Sequence, residues 1–305
     1  MFKLAHISDI HLGPLPKLTW MELASKRITG FVNWHRYRRK HLFPNALLEV
    51  LEDIIRQQPD HLAITGDLVN LGSRVETESA AEWLELTGPP LTTSVVPGNH
   101  DAYVRGAFER AMGLWYPYVS GDHAAPAFDP DRKLFPYMRK RGPVALIGCS
   151  SAIATPPFSA AGFFSPRQAR ETQRLLQEAH AEGLFRVVMI HHPPVRGAAE
   201  THKRLVGIGR FNSMLREAGA ELVIHGHTHL NSLFWLDGKH GRVPVIGVAS
   251  ASQGPGGHKP RAGYNLFKIT GSAGDWHLQH ERHQLTADGQ AMEMIGQMVL
   301  SGHTS

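Results

Sequence analysis

Six short apolar runs in this chain each stop abruptly at a polar residue, and this repeat constrains the fold more than any other feature. Residues 4–7 end at Ser8-Asp9, 62–64 at Thr65-Gly66-Asp67, and 94–96 at Pro97-Gly98-Asn99. Residues 144–149 end at Ser150-Ser151, 187–190 at His191, and 222–224 at His225-Gly226-His227. Runs this short, β-branched and bounded by Gly or Pro, read as buried strands. Helical spacing separates several of them. Leu47, Leu48, Leu51, Ile54 and Ile55 recur every three or four residues between a Pro44-Asn45 start and a Pro59 stop. Residues 167–182 follow Ser165-Pro166, and 211–218 close on Gly219. Strands alternating with helices predict an α/β layered domain. In such domains polar residues just past the strand ends converge on one crevice.

Five motifs occupy those positions: Asp9-Ile10-His11, Gly66-Asp67, Gly98-Asn99-His100-Asp101, His191-His192-Pro193-Pro194 and Gly226-His227-Thr228-His229. Singly they carry little weight. A Gly-Asp pair is usually a turn, and two adjacent histidines can be solvated or capping. Together they mix carboxylate and amide oxygens with imidazole nitrogens, a donor set suited to two divalent transition metals side by side. A pair of such ions directs water at phosphoryl centres.

The motifs and their order resemble those of the calcineurin-like metallophosphoesterase superfamily, over residues 1 to about 269. Gly98-Asn99-His100-Asp101 is similar to the class III phosphodiesterases, and also to many monoesterases. The resemblance implies an α/β fold, a four-layer α/β/β/α sandwich of two mixed sheets. It implies two divalent metal ions, of manganese, iron or zinc. Asp9, His11 and His229 would hold the first ion, Asn99, His191 and His227 the second, and Asp67 would bridge them. The reaction implied is in-line attack on a phosphoester by a metal-bridging hydroxide. His100 would face the substrate phosphate as a catalytic group, stabilising charge or protonating the leaving oxygen. Asp101 has two readings, holding the His100 ring or capping a following helix. His192 is expected behind the ligands or near the substrate, and His225 is expected to be structural.

The substrate class stays open at this level. A small phosphodiester is the first reading. The segment 22–43 offers another, because Leu23, Ile28, Phe31, Trp34, Tyr37 and Leu42 fall on one helical face. Lys26, Arg36, Arg39 and Lys40 lie mostly on the other, with Arg27 and Arg38 inside the apolar arc. Such a helix either packs on the domain as an ordinary surface helix or lies on an anionic membrane. The membrane reading implies a lipid-linked pyrophosphate such as UDP-diacylglucosamine, which some superfamily members hydrolyse. A third reading is a non-catalytic metal-binding scaffold, against which the complete ligand set argues. Nucleic acid is not expected as a partner, since stacking aromatics on a basic stripe are missing.

Composition narrows the setting. Hydrophobic residues make up 42% of the chain, enough for a buried core. A single cysteine, Cys149, excludes an intrachain disulfide and fits a reducing compartment. No apolar stretch is long enough to span a bilayer, and the N-terminus reads as a buried strand rather than a signal peptide. These features predict a cytoplasmic protein, at most peripheral at the inner membrane surface. The net charge of +5 does not choose among anionic partners. One catalytic domain is expected over 1–285, with a cap or insertion at 102–141. The last strands, 244–249, 264–269 and 276–285, read as a second, more antiparallel sheet. Met292, Ile295 and Met298-Val299 fall at helical spacing, predicting a helical tail over 286–305.

Overall fold

A computed structural model describes residues 1–16, 25–36 and 44–300. Strands β1 (Phe2–Ile7), β2 (His61–Ile64) and β3 (Thr93–Val95) run parallel at one side of the first sheet. Strands β12 (Gly263–Ser272), β13 (Asp275–Leu285) and β14 (Met292–Val299) complete it antiparallel, in the order β14-β13-β12-β1-β2-β3. The second sheet comprises β10 (Ser232–Gly238), β11 (Gly241–Gly247), β9 (Leu222–His225), β7 (Phe185–Met189), β5 (Val144–Gly148) and β4 (Tyr137–Arg141), in that order. Its central members are parallel.

The parallel strands β5, β7 and β9 are buried on both faces, which is why they read as unbroken apolar runs. In β5, β7 and β9, Val144, Leu146, Val187, Met189 and Ile224 join the core that contains Leu4, Ile64 and Leu266 of the first sheet. The alternate residues Ile147, Val188 and Val223 join a second core with Leu176 of α6 (Pro166–Ala181) and Phe211 and Leu215 of α7 (Ile208–Ala218). Helices α2 (Pro44–Gln57) and α3 (Arg74–Thr87) pack Val50, Ile54, Ala80 and Leu84 into the first core. The architecture is the expected sandwich of two mixed sheets flanked by helices.

Helix α3 escaped the sequence reading although its start is encoded. Ser73 and Glu76 form a capping box, with Glu76 N–H donating to Ser73 Oγ (3.3 Å) and Ser73 N–H to Glu76 Oε2 (2.9 Å). The same carboxylate accepts from Asn70 N (3.0 Å) and Leu71 N (3.1 Å), so the cap also fixes the loop after Asp67.

Two expectations need correction. The tail is strand β14, antiparallel to β13, and not a helix. Its register shifts between Arg282 and His283, leaving Ile295 as an extra residue, and this bulge breaks the two-residue alternation that would have marked a strand. The last strands do not form a sheet of their own. β11 extends the second sheet and β12–β14 extend the first. The segment 102–141 holds α4 (Ala107–Leu114), α5 (Tyr116–Val119) and β4, which pairs with β5 at the edge of the second sheet. Trp115 Nε1 donates to Thr77 O (3.0 Å), Tyr118 OH to Gly88 O (3.1 Å) and Arg139 Nη1 to Thr93 O (2.7 Å). Burying Trp115, Tyr118, Phe135 and Tyr137 there is what holds the segment down.

Candidate dimetal site

All seven proposed ligands lie where parallel strands end: Asp9 and His11 after β1, Asp67 after β2, Asn99 after β3, His191 after β7, and His227 and His229 after β9. Backbone bonds continue past the strands and tie these loops together. Asp9 N–H donates to Gly66 O (2.9 Å), His11 N–H to Asp67 O (2.9 Å) and Gly226 N–H to His191 O (3.1 Å). Five of the seven ligands carry positive φ: Asp9 (54°), His11 (46°), Asp67 (56°), His227 (70°) and His229 (55°). Each such conformation costs on the order of 1–3 kcal/mol in a residue with a side chain. Packing of the strands beneath must supply that energy. Gly98 is required for space, since a Cβ there would lie 2.2 Å from Asp67 Oδ1.

The ligand atoms gather in two clusters, Asp9-His11-His229 and Asp67-His191-His227, each with its atoms within 4.8 Å of one another, and a third group, His11-Asp67-His100, joins them. His229 Nε2 is 3.0 Å from Asp9 Oδ1, and His191 Nε2 is 3.3 Å from Asp67 Oδ2 and 3.2 Å from Asn99 Oδ1. His11 Nε2 lies 4.0 Å from both Asp9 Oδ1 and Asp67 Oδ2, and 3.4 Å from His229 Nε2. Asp67 therefore stands between the clusters.

The hydrogen bonds behind the rings test whether cations fit. His11 Nδ1 donates to Val69 O (3.1 Å), His191 Nδ1 to Thr65 O (2.6 Å) and His227 Nε2 to Lys203 O (2.8 Å). Each bond fixes the proton on the outer nitrogen and leaves the inner lone pair facing the pocket. Lone pairs then face carboxylate oxygens, acceptor against acceptor. Asp9 Oδ1 is buried with no hydrogen-bond partner among the described residues. Buried acceptors in that arrangement call for positive charge between them. The residues fit two divalent ions.

Where no cation is present, protons take that place. Burial opposes charge on His191, but Asp67 and the contact with it outweigh burial and push the ring up to about 9. Burial likewise opposes charge on Asp9 and is outweighed by His229, which holds the carboxyl well below the usual range. His227 is pushed well down by burial and then by His192 and His191.

His100 borders the clusters, within 4.8 Å of His11 and Asp67. Its N–H donates to Asp67 Oδ1 (2.7 Å), and its ring Nδ1 donates to Asn70 O. The ring stacks on Tyr103 at 5.3 Å and 12° and meets His11 edge-on at 4.9 Å. Asp101 does not cap a helix, because α4 starts from Gly106. Its buried carboxylate accepts from Asp67 N (2.9 Å), Leu68 N (2.9 Å), Val69 N (3.2 Å) and Gly98 N (2.8 Å). Burial and the charge of Asp67 push the Asp101 carboxyl up to about 7, against the pull of those amides. Its work is to pin the two loops that carry Asp67 and Asn99.

His192 lies behind the ligands. Its Nε2 donates to Ala160 O (3.0 Å) and its Nδ1 bonds Ser151 Oγ (2.7 Å), while burial and His191 push it down to about 3. His225 is buried, bonded to Gly226 O (3.0 Å) and pushed down to about 4 by burial, in keeping with a structural part.

Of the amphipathic segment, α1 (Arg27–Arg36) and the residues just before it are described; Leu23, Tyr37, Arg38, Arg39, Lys40 and Leu42 lie outside the described residues. Arg27 is buried and donates to Leu71 O (3.1 Å) and Gly72 O (2.7 Å). Lys26 Nζ donates to Thr155 Oγ1 (2.7 Å) and Ser159 O (3.0 Å) and sits 4.6 Å above the Tyr103 ring. Burial brings its pKa down to about 8. Sequence reasoning placed the segment that holds Lys26 next to the Asp9-His11 motif but missed the particular contacts of Asn70, Tyr103 and Lys26 around His100. Only the capping box after Asn70 carried a signal, and it marked a helix start rather than a site.

A profile of the calcineurin-like phosphoesterase family matches residues 2–231. The chain therefore belongs to the calcineurin-like phosphoesterases, metal-dependent phosphoester hydrolases with a dimetal centre. Among solved structures it is similar to a dimetal phosphatase from Danio rerio, at 12% identity and a TM-score of 0.60, covering 99% of each chain. It is also similar to the purple acid phosphatase PPD1 from yellow lupin seeds, at 10% identity and a TM-score of 0.57, covering 98% of this chain and 53% of that one. At such identities these likenesses concern the fold. No curated protein matches by sequence. No helix among the described residues is long and apolar enough to cross a membrane.

Proposed function

We propose that this chain hydrolyses a phosphodiester at the strand-end pocket, with Asp9, His11 and His229 holding one divalent ion, Asn99, His191 and His227 the other, and Asp67 shared. The observation that carries this is the convergence of imidazole nitrogens on the buried carboxylates of Asp9 and Asp67, with the outer nitrogens of His11, His191 and His227 committed to backbone carbonyls. Bound there, the ions supply Lewis acidity to the phosphoryl oxygens and acidify a water. The protein's part is positional. Asp101 locks the backbone at 67–69 and at Gly98, and the outer hydrogen bonds of His11, His191 and His227 fix each ring's tautomer. His100, with Nδ1 committed to Asn70 O, keeps its other nitrogen for the substrate as charge stabiliser or as proton donor to the leaving oxygen. The test is turnover of bis(p-nitrophenyl) phosphate by stripped protein reloaded with manganese, iron or zinc. Metal-dependent turnover supports the reading. Failure with all three ions favours the scaffold reading, and a strong preference for p-nitrophenyl phosphate replaces diester by monoester.

A second reading, a peripheral membrane enzyme acting on a lipid-linked pyrophosphate such as UDP-diacylglucosamine, draws support from exposed apolar side chains. Ile28 is 53% and Val32 40% exposed on α1, and Phe158 is 84% exposed in the loop that Lys26 grips. The sequence after α1 is strongly basic through Lys40, as binding to anionic lipid requires. Sedimentation with anionic vesicles that weakens with salt and with charge reversal at Arg38, Arg39 and Lys40 supports it. Absence from anionic vesicles at low salt removes it.

A further inference from the structure

We infer that the N-terminal turn of α1 belongs to the active site, with Lys26 acting through Tyr103 to position the His100 ring. The inference rests on the proposed role of His100. The Lys26 ammonium lies 4.6 Å from the centroid of Tyr103, and the Tyr103 ring is nearly parallel to His100, at 12° and 5.3 Å. A cation is drawn to the electron-rich face of a phenol ring, so Lys26 holds Tyr103 in place. The ammonium is itself fixed, bridging to Thr155 Oγ1 and Ser159 O, which ties α1 to the loop across the stack. The next residue works on the other restraint. Arg27 grips the carbonyls of Leu71 and Gly72, directly after Asn70, whose carbonyl takes the His100 Nδ1 proton. Lys26, just before α1, and Arg27, its first residue, thus back both contacts that orient His100, one in the ring plane and one on its face.

Both restraints are needed. Asn70 fixes one ring atom, and a ring held at one atom can still tilt. Tyr103 removes the tilt and aims the remaining nitrogen. Misplacing a reacting group by about an ångström can cost on the order of a hundredfold in rate. Neither Lys26 nor Tyr103 needs to touch substrate for this effect, so both are positioning residues.

The test is a mutant cycle on the metal-loaded full chain with bis(p-nitrophenyl) phosphate. Lys26→Met and Tyr103→Leu are each expected to lower kcat about tenfold, with KM and bound metal unchanged. Lys26→Arg and Tyr103→Phe, which keep the cation and the ring, are expected to restore most of the rate. The double variant should be no worse than Tyr103→Leu, and neither change should matter in a His100→Ala background. Additive losses, an effect on KM alone, loss of metal, or an undiminished effect without His100 overturns the inference. A full rate in His100→Ala points instead to failure of the role given to His100. A second readout needs no turnover: the His100 ring protons, assigned by their loss in His100→Ala, are followed by NMR in metal-free protein. Tyr103→Leu should shift them by removing the ring current, and Lys26→Met should shift or broaden them. No response to Lys26→Met overturns the positioning by Lys26.

Discussion

The two ends of the same parallel strands are built on opposite principles. At the end that carries Asp9, Asp67, His191 and His227, backbone strain collects: among the described residues, five of the seven non-glycine residues with positive φ are proposed ligands, the others being Gln58 and Phe158. Imidazole nitrogens there crowd buried carboxylate oxygens, as His229 and His191 show. At the opposite end, His61 Nδ1 apart, charged groups find internal partners. Arg186, 1% exposed at the start of β7, meets Glu221 Oε1 at 2.6 Å and Oε2 at 3.0 Å and also donates to Ala218 O (2.7 Å). Lys3 N–H donates to Asp60 Oδ2 (2.7 Å). One end therefore draws on stability that the other end and the core provide. Substitutions at the first should cost function, and at the second should cost stability.

The largest effect expected falls on the shared carboxylate. Asp67→Asn keeps the shape but removes the negative charge that the two cations require. Turnover should fall by on the order of 10⁴-fold or more, near the scale of removing a catalytic centre, and metal content measured by mass spectrometry should drop. The thermal midpoint of the metal-free form should also fall, because the charge that holds the His191 proton has been removed. A variant that retains both metals contradicts the bridging role. At the opposite end the signs reverse. Arg186→Met leaves Glu221 without its cation, and about 3 kcal/mol of stability should be lost on urea unfolding. The kcat of the surviving folded protein should be unchanged. A matching loss of kcat would show that the two ends are coupled.

His100→Ala comes next in size. Both metals should stay, since His100 lies outside both ligand clusters of the proposal, while kcat falls about 100-fold, the lower range for a lost acid–base or charge-stabilising group. Loss of metal with the rate would move His100 into the ligand set, alongside its neighbours His11 and Asp67.

How far the sequence revealed this contrast depends on what each end uses. Proposed ligands sit one to a few residues beyond β-branched runs, so the period of the strands and the abrupt polar stop located them. The sandwich followed from the same runs. The supporting contacts were hidden because they join residues distant in sequence through backbone atoms. Asp101 reads as a helix cap until the amides of Asp67, Leu68, Val69 and Gly98 are seen to surround it. Tyr103 and Lys26 are separated by 77 positions and share no motif, and only the packing of α1 brings them together. Strand β14 was lost to a bulge, which no periodicity argument detects from one chain.

His61 carries the smallest and most discriminating prediction. It opens β2 at the end away from the metals and is 1% exposed, with Nε2 bonded to Ser94 Oγ at 2.8 Å and Nδ1 without a partner among the described residues. Burial, and then Arg141 and Arg139, push its pKa down to about 3. The folded state therefore prefers the neutral ring, whereas the unfolded chain takes up a proton near pH 6.5. The contribution is fully present above about pH 6.5 and is lost as acid titrates the unfolded chain, until both states are protonated near pH 3. Between pH 7 and 5.5 this amounts to roughly 1 kcal/mol, at up to about 1.4 kcal/mol per pH unit. In metal-free protein, the stability advantage of wild type over His61→Gln should shrink by that amount on acidification, because the ligand histidines titrate alike in both and cancel. A constant gap would mean that His61 titrates alike in the folded and unfolded states, so that its burial does not disfavour the charged ring.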